Sequence, residues 1–439
     1  LALRKYFSSA EKFKIIKDFL TQKDQLDDLT VRQLEVAYLQ FAGNQLPPDV
    51  LQKLVEQQKE LEKINSNFRG KIGDNEYPNN ELIQMMRKET NSAKRRAAWE
   101  ALKQVGAVIG PKVVELAKLR NESARKMGYS NFWDMQIRLQ EHDPDVLLPL
   151  FDELDRLTRE PFLAAKAEMD RHVAEKLGVR GDQLMPWHYD NPFFQAAPSA
   201  GAADLDAVYR GKAKEQIVEI SRRFFAETGL PVDDILRRSD LYEREGKDQH
   251  AFSTSIDRSG DVRILCNIKP TAEWMDTTLH ELGHAVYDER IDRSLPYNLR
   301  EPAHAFTTEG VAMLFGALGN DPGWMQAYAG ASPEEAKTLA EAARRQRRWD
   351  QLVFARWTLV MLHFERALYD NPEQDLNRLW WDMVERYQQL RRPPGRNEPD
   401  WAAKPHFTIA PVYYHNYMLG EMMASQLHAF ISKNVNKHG

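Results

Sequence analysis

The chain lacks several things, and each shortage narrows what it can be. It has one cysteine, Cys266, in 439 residues. No intrachain disulfide can form, so stability rests on a packed core, with or without a metal. That count does not settle the compartment. No stretch approaches the run of about eighteen apolar residues that a membrane-spanning helix needs, and Val311-Ala-Met-Leu-Phe-Gly-Ala-Leu318 comes nearest. No charge of one sign dominates, with 60 basic residues against 65 acidic ones. There is thus no electrostatic reason to expect nucleic acid or an anionic membrane as a partner. The opening Leu1-Ala-Leu-Arg-Lys-Tyr-Phe7 has neither an initiator Met nor an apolar signal core. Either a leader has been removed or the chain starts inside its natural sequence; a secreted or periplasmic location is expected ahead of a cytoplasmic one.

What is present is mostly helical pattern. Apolar residues recur at three- and four-residue spacing over 8–20, 30–41 and 48–68, the last opened by Pro47-Pro48. Asn91 or Ser92 is placed to cap the next helix, which Gly106 and Gly110-Pro111 are expected to break or kink. Gly128 is a plausible stop, and 145–177 reads as one or two further helices. Residues 181–204, rich in Pro, aromatic and small side chains, read as a long ordered loop between lobes; within it His188, beside Trp187, is either a ligand or, more commonly for a lone loop histidine, structural. Helix resumes over about 204–228. His250–Ile256 and Val262–Ile268 alternate in polarity around Asp257-Arg-Ser-Gly-Asp261 and predict a short β-hairpin, the one convincing sheet. The expected fold class is therefore all-α, mostly helical, with a small hairpin. The expected organisation is one catalytic domain over 1–439, with a helical lobe over about 1–180 and a second lobe over about 205–439.

The hairpin leads into Asp276-Thr-Thr-Leu-His280-Glu281-Leu-Gly-His284-Ala-Val-Tyr. On a helix, positions i and i+4 share a face one turn apart, so both imidazoles can reach one ion. Glu281 lies about 100° further round, able to act on a water at that ion but not to ligate it. H-E-x-x-H arises by chance in about one chain in a hundred of this length. Here Leu279, Leu282, Ala285 and Val286 make the segment apolar, and buried histidines need partners. Zinc suits imidazole, and a catalytic zinc takes three protein groups with one position open. The third ligand is sought among Asp288, Glu289, Asp292, Glu301 and Glu309. Asp288, a turn beyond His284, is better placed as that histidine's hydrogen-bond partner. Glu309 opens an apolar helix where a lone carboxylate has no reason to be buried, and Glu301 is the weaker alternative.

His280-Glu-x-x-His284 followed at long spacing by Glu309 resembles the gluzincin peptidases, and two families fit. These are the angiotensin-converting enzyme family and the related thimet oligopeptidase and oligoendopeptidase family. Trp380-Trp381, Arg386-Tyr387-Gln388, Pro393-Pro394, Lys404-Pro-His406-Phe and Tyr414-x-x-Tyr417 follow in the order of the first family. Gly110-Pro-Lys through Ser-Ala-Arg125 is similar to its N-terminal part. The resemblance spans roughly residues 90 to 430.

That resemblance implies two lobes flanking a deep cleft and one Zn2+ per chain held by His280, His284 and Glu309. It implies Glu281 as general base and then acid, and Tyr417 as hydrogen-bond donor to the oxyanion. His406 and His250 would hold the substrate backbone. Lys404 and Tyr414, or Tyr413 if the alignment shifts by one, would grip the free C-terminal carboxylate of a short peptide, so that dipeptides are released. An oligoendopeptidase would keep the zinc site and lack the grip. A non-catalytic helical zinc protein would have no use for Glu281.

Departures from the family pattern carry information too. Phe252 follows His250-Ala251 where a small residue is usual, and Met313 stands where an acidic residue is usual. Family members often bind activating chloride through arginines; the matching positions here are Val384 and Asn416. Activity is therefore expected to be insensitive to chloride. Assays with NaCl exchanged for a chloride-free salt at constant ionic strength test this, and a many-fold activation by chloride would refute it.

Overall fold

The computed structural model describes residues 2–199, 204–245, 247 and 250–435. Helices account for most of them, and the described strands form two antiparallel pairs. The chain divides into two compact units, one comprising Leu1–Ser199 and Arg348–His415, the other Ala200–Arg347 and Asn416–Gly439. The chain first changes unit within the aromatic-rich loop. Residues 348–415, which follow the zinc motif in sequence, pack with the N-terminal helices instead.

In the first unit, the helix Ser92–Lys126 is the central element, opened by Asn91, whose side chain accepts from the Lys94 amide. It runs unbroken through Gly106, Gly110 and Pro111, contrary to the expected interruption. The glycines are there for contact. A Cβ at Gly106 would lie 2.3 Å from the Pro399 carbonyl oxygen, and one at Gly110 would lie 3.1 Å from the Pro399 ring. Tight packing of the 399–403 turn offsets what glycine costs a helix. Pro144–Leu177 is likewise one helix despite Pro149 and Pro161, ending at Gly178 with φ 62°. Trp99, Ile109, Leu116, Phe151, Phe162, Trp357, Phe364 and Trp401 fill the core of this unit.

A second hairpin, β1 (Gly70–Ile72) with β2 (Asn75–Tyr77), escaped the sequence pattern because each strand has three residues, too few to show alternation. Gly73 turns it at φ 60°. The loop after Gly178 is ordered by Arg95, fully buried, which donates to the carbonyls of Trp187 and His188, 2.8 Å each. His188 is structural: Nε2 meets Ser92 Oγ at 2.7 Å and Nδ1 accepts from the Met185 amide at 2.8 Å. Burial, with Arg95 beside it, pushes its pKa down to about 4.

In the second unit, the helix expected over 204–228 is split into a 3-10 turn, Leu205–Val208, and a helix, Lys214–Glu227; Gly211 at φ 82° lies between them. The predicted hairpin forms as β3 (Phe252–Ser255) and β4 (Val262–Leu265), with Phe252 opposite Leu265 and Ser255 opposite Val262. On its other side β4 bridges to Asp240 in parallel, so β3 is the outer strand. Val262 and Ile264 point into a core shared with Ile217, Phe224, Phe225 and the buried face of the helix Ala272–Glu289. That core holds the H-E-x-x-H helix rigidly from behind.

Candidate active site

Thr271 caps the Ala272–Glu289 helix by accepting from the Trp274 amide. Met275, Leu279, Leu282 and Val286 bury one face, which turns His280 and His284 towards the helix Ala305–Gly316. The two helices meet at Gly283, where a Cβ would lie 2.7 Å from the Ala312 Cα. Only glycine permits that approach, and it brings Glu309 against both histidines. Glu309 Oε2 lies 3.8 Å from Nε2 of His280 and 3.8 Å from Nε2 of His284. The ligand atoms of all three lie within 4.8 Å of one another.

Burial pushes the imidazole pKa values down, to about 3 for His280 and about 4 for His284. Both rings are therefore neutral at physiological pH. The 3.8 Å approaches are then not ion pairs but lone pairs and a carboxylate converging on one point. Donors about 2 Å from a tetrahedral zinc lie roughly 3.3 Å apart, so separations need shrink by at most about 1.5 Å to close this set on an ion. Two neutral imidazoles and one carboxylate fit zinc in charge and in softness.

The hydrogen bond behind His284 comes from a residue the sequence reading passed over. Nδ1 meets Thr308 Oγ1 at 2.7 Å, and the tautomer that frees Nε2 for a cation makes Nδ1 the donor. Asp288, assigned that part from the helical repeat, does not take it. Its Oδ1 is buried without a partner, and burial raises its pKa to about 6. A neighbouring helix reached the imidazole first. Thr308 directly precedes Glu309, so a hydroxyl beside the third ligand was the available signal.

Glu281 is buried, and burial with the charge of Glu309 raises its carboxyl to about 8 in the metal-free protein. Tyr417, on the helix Tyr414–Asn434, stays a protonated donor because burial and then Glu309 push its phenol up to about 12. That helix approaches Glu309 at Gly420, where a Cβ would lie 2.8 Å from the Glu309 Cβ. Gly420 carried no sequence signal, since a glycine inside a helix records a contact only once its neighbour is known. His250 is exposed, two residues before β3.

The first unit holds a second cluster. Lys404 is 7% exposed, and its Nζ donates to Gln195 Oε1 at 2.6 Å. The rings of Phe193, Trp357 and Tyr414 surround the amine at 5.4–5.6 Å. Lys103 lies across the Phe193 ring, its own amine pushed well down by burial. No carboxylate among the described residues pairs with Lys404, and burial lowers its pKa to about 7. His406 packs against Tyr414, the two rings tilted by 53° with centroids 4.9 Å apart. It is Tyr414 whose ring faces the lysine. Gln195 was not predicted, being one polar residue in a long loop.

Comparison with known proteins agrees with this chemistry. A profile of the family described as "Angiotensin-converting enzyme" matches residues 187–439. The angiotensin-converting enzyme of Mesocricetus auratus is 22% identical over 372 residues, covering 78% of this chain and 28% of that protein. Carboxypeptidase 1 of Bacillus subtilis is 25% identical over 359 residues, covering 76% of this chain and 64% of that one. The angiotensin-converting enzyme-like protein Ace3 of Mus musculus is 22% identical over 360 residues, covering 75% and 48%. The chain thus spans less than two thirds of each of these relatives.

Replacing Thr308 by Val keeps its volume and removes the acceptor at His284. Zinc affinity, read by competition with a chromogenic chelator, is expected to fall about tenfold or more. An unchanged affinity would show that the Thr308 hydroxyl does not tune the ligand.

Proposed function

Because the chain belongs to the angiotensin-converting enzyme family, we propose that it is a zinc metallopeptidase releasing dipeptides from the free C-termini of short peptides. The observation that carries the reading is Lys404, a buried cation without a carboxylate partner among the described residues. Burying an uncompensated charge is costly, and the C-terminal carboxylate of a peptide would compensate it. The name of one relative, Carboxypeptidase 1 of Bacillus subtilis, points the same way, to attack at a peptide C-terminus. The register of two residues rests on the family resemblance.

His280, His284 and Glu309 would hold the zinc. When bound, the ion supplies Lewis acidity to the scissile carbonyl and acidity to the attacking water. Glu281 takes the proton of that water and passes it to the leaving amine. The Tyr417 phenol donates to the oxyanion of the tetrahedral intermediate. Lys404 and Tyr414 bind the terminal carboxylate, with Gln195 orienting the lysine. His250 and His406 are assigned to the substrate backbone, on the resemblance.

Two measurements test the proposal. Mass spectrometry of a flexible decapeptide, free or amidated at its C-terminus, is expected to show dipeptide loss from the free acid alone, and none with Glu281→Ala. Internal cleavage of both forms would move the protein to the oligoendopeptidase reading; loss of single residues would keep the grip and refute the register. The second is pH. Lys404 binds carboxylate only when protonated, and its pKa in the free protein is lowered to about 7. KM for the free acid should be flat below pH 7 and rise about tenfold per unit above it. A free-acid KM constant from pH 6 to 9 would contradict this role for Lys404.

A further inference from the structure

The segment carrying Lys404, His406 and Tyr414 has little regular structure between its functional side chains. A short helix, His406–Ile409, is followed by Ala410 and Pro411. Val412 comes next at φ 54°, a backbone region that a β-branched residue adopts only when its surroundings impose it. Left to itself, such a segment would sample many spacings between the lysine and the tyrosine.

Three polar side chains from three other helical elements prevent this by seizing its backbone. Arg120, buried on Ser92–Lys126, donates from Nη1 to the Phe407 carbonyl at 2.8 Å and from Nη2 to the Thr408 carbonyl at 2.9 Å. These are carbonyls at the end of the short helix, where partners are otherwise lacking. Nη1 also meets Tyr369 Oη at 3.0 Å. Glu365, buried on Pro333–Asp370, accepts from the Val412 amide through Oε1 at 2.9 Å. Gln140, at the end of Phe132–Leu139, donates to the Val412 carbonyl at 2.8 Å. Both polar groups of the strained residue are thereby held. Burial raises the Glu365 carboxyl to about 8, so an uncharged acceptor serves at this position.

We propose that Arg120, Gln140 and Glu365 are positioning residues of the carboxylate pocket, fixing the spacing of Lys404, His406 and Tyr414 through the backbone of Phe407, Thr408 and Val412. Buried Arg120 and Glu365, with half-buried Gln140, spend hydrogen bonds on an irregular loop and so stabilise its shape. The inference rests on the proposed carboxylate grip. None of the three touches substrate, and each acts through the segment it holds.

Kinetics on the free-acid and amidated decapeptide, with zinc content measured alongside, test the proposal. Glu365→Leu should raise KM for the free acid about tenfold, and Gln140→Ala about threefold, with kcat within about twofold and zinc content unchanged. Glu365→Gln keeps an uncharged acceptor and should match the parent protein. A folded Glu365→Leu or Gln140→Ala protein with unaltered KM overturns the inference, as does a loss confined to kcat. Equal losses in Glu365→Gln and Glu365→Leu overturn it too, since the acceptor would then not be what matters. Should Glu365→Leu fail to fold, Gln140→Ala decides. Binding of an acetylated dipeptide, as free acid and as amide, separates this failure from that of the function itself. A parent protein without preference for the acid refutes the carboxylate grip and the positioning role together. A preference that survives in the variants refutes the positioning role alone.

Discussion

The contact between Gly283 and Ala312 is the constraint on which the candidate metal site depends. H-E-x-x-H places two imidazoles on one face of a helix, but a zinc site needs a third donor from elsewhere. With any side chain at position 283, the Ala305–Gly316 helix would stand off and Glu309 would fall short. With glycine the backbones nearly touch, and a carboxylate that would otherwise be stranded in an apolar helix meets two neutral imidazoles. Gly420 repeats the device on the other side of Glu309, bringing in the helix that bears Tyr417. Two glycines thus set the depth at which three helices approach one carboxylate.

Burial then does chemical work in both units, with opposite consequences for acids and bases. It strips protons from His280 and His284 and keeps them on Glu281 and Tyr417. The shifts at the histidines and the tyrosine suit the parts proposed for them: unprotonated nitrogens to bind a cation and a phenol to donate a proton. Lys404 shows the same physics in the other unit. Its aromatic surroundings remove water without supplying an anion, so its amine gives up a proton more readily.

The C-terminal part of the chain also shows why a motif can be readable while its setting is not. Lys404-Pro-His406 and Tyr414-x-x-Tyr417 stood out as patterns. Arg120, Gln140 and Glu365, which hold the intervening backbone, looked like ordinary polar residues of three helices. Their partners are carbonyls and an amide far along the chain, and backbone groups leave no signature in side-chain sequence.

Local period accounts for what could be read directly. The shared face of His280 and His284, the place of Glu281 beside it, the hairpin before that helix and most helices follow from spacing within one element, because i to i+4 geometry and strand alternation are properties of the backbone itself. The tertiary structure decided whatever depends on two elements distant in the chain. It gave Thr308 rather than Asp288 to His284, kept one helix running through Gly106 and Pro111 because Pro399 packs there, and joined residues 348–415 to the N-terminal helices. At Gly106 and Pro111 the close contact outweighed local preferences worth about 1 kcal/mol for glycine and about 3 for proline. No pattern within a single helix can announce which neighbour will supply that contact.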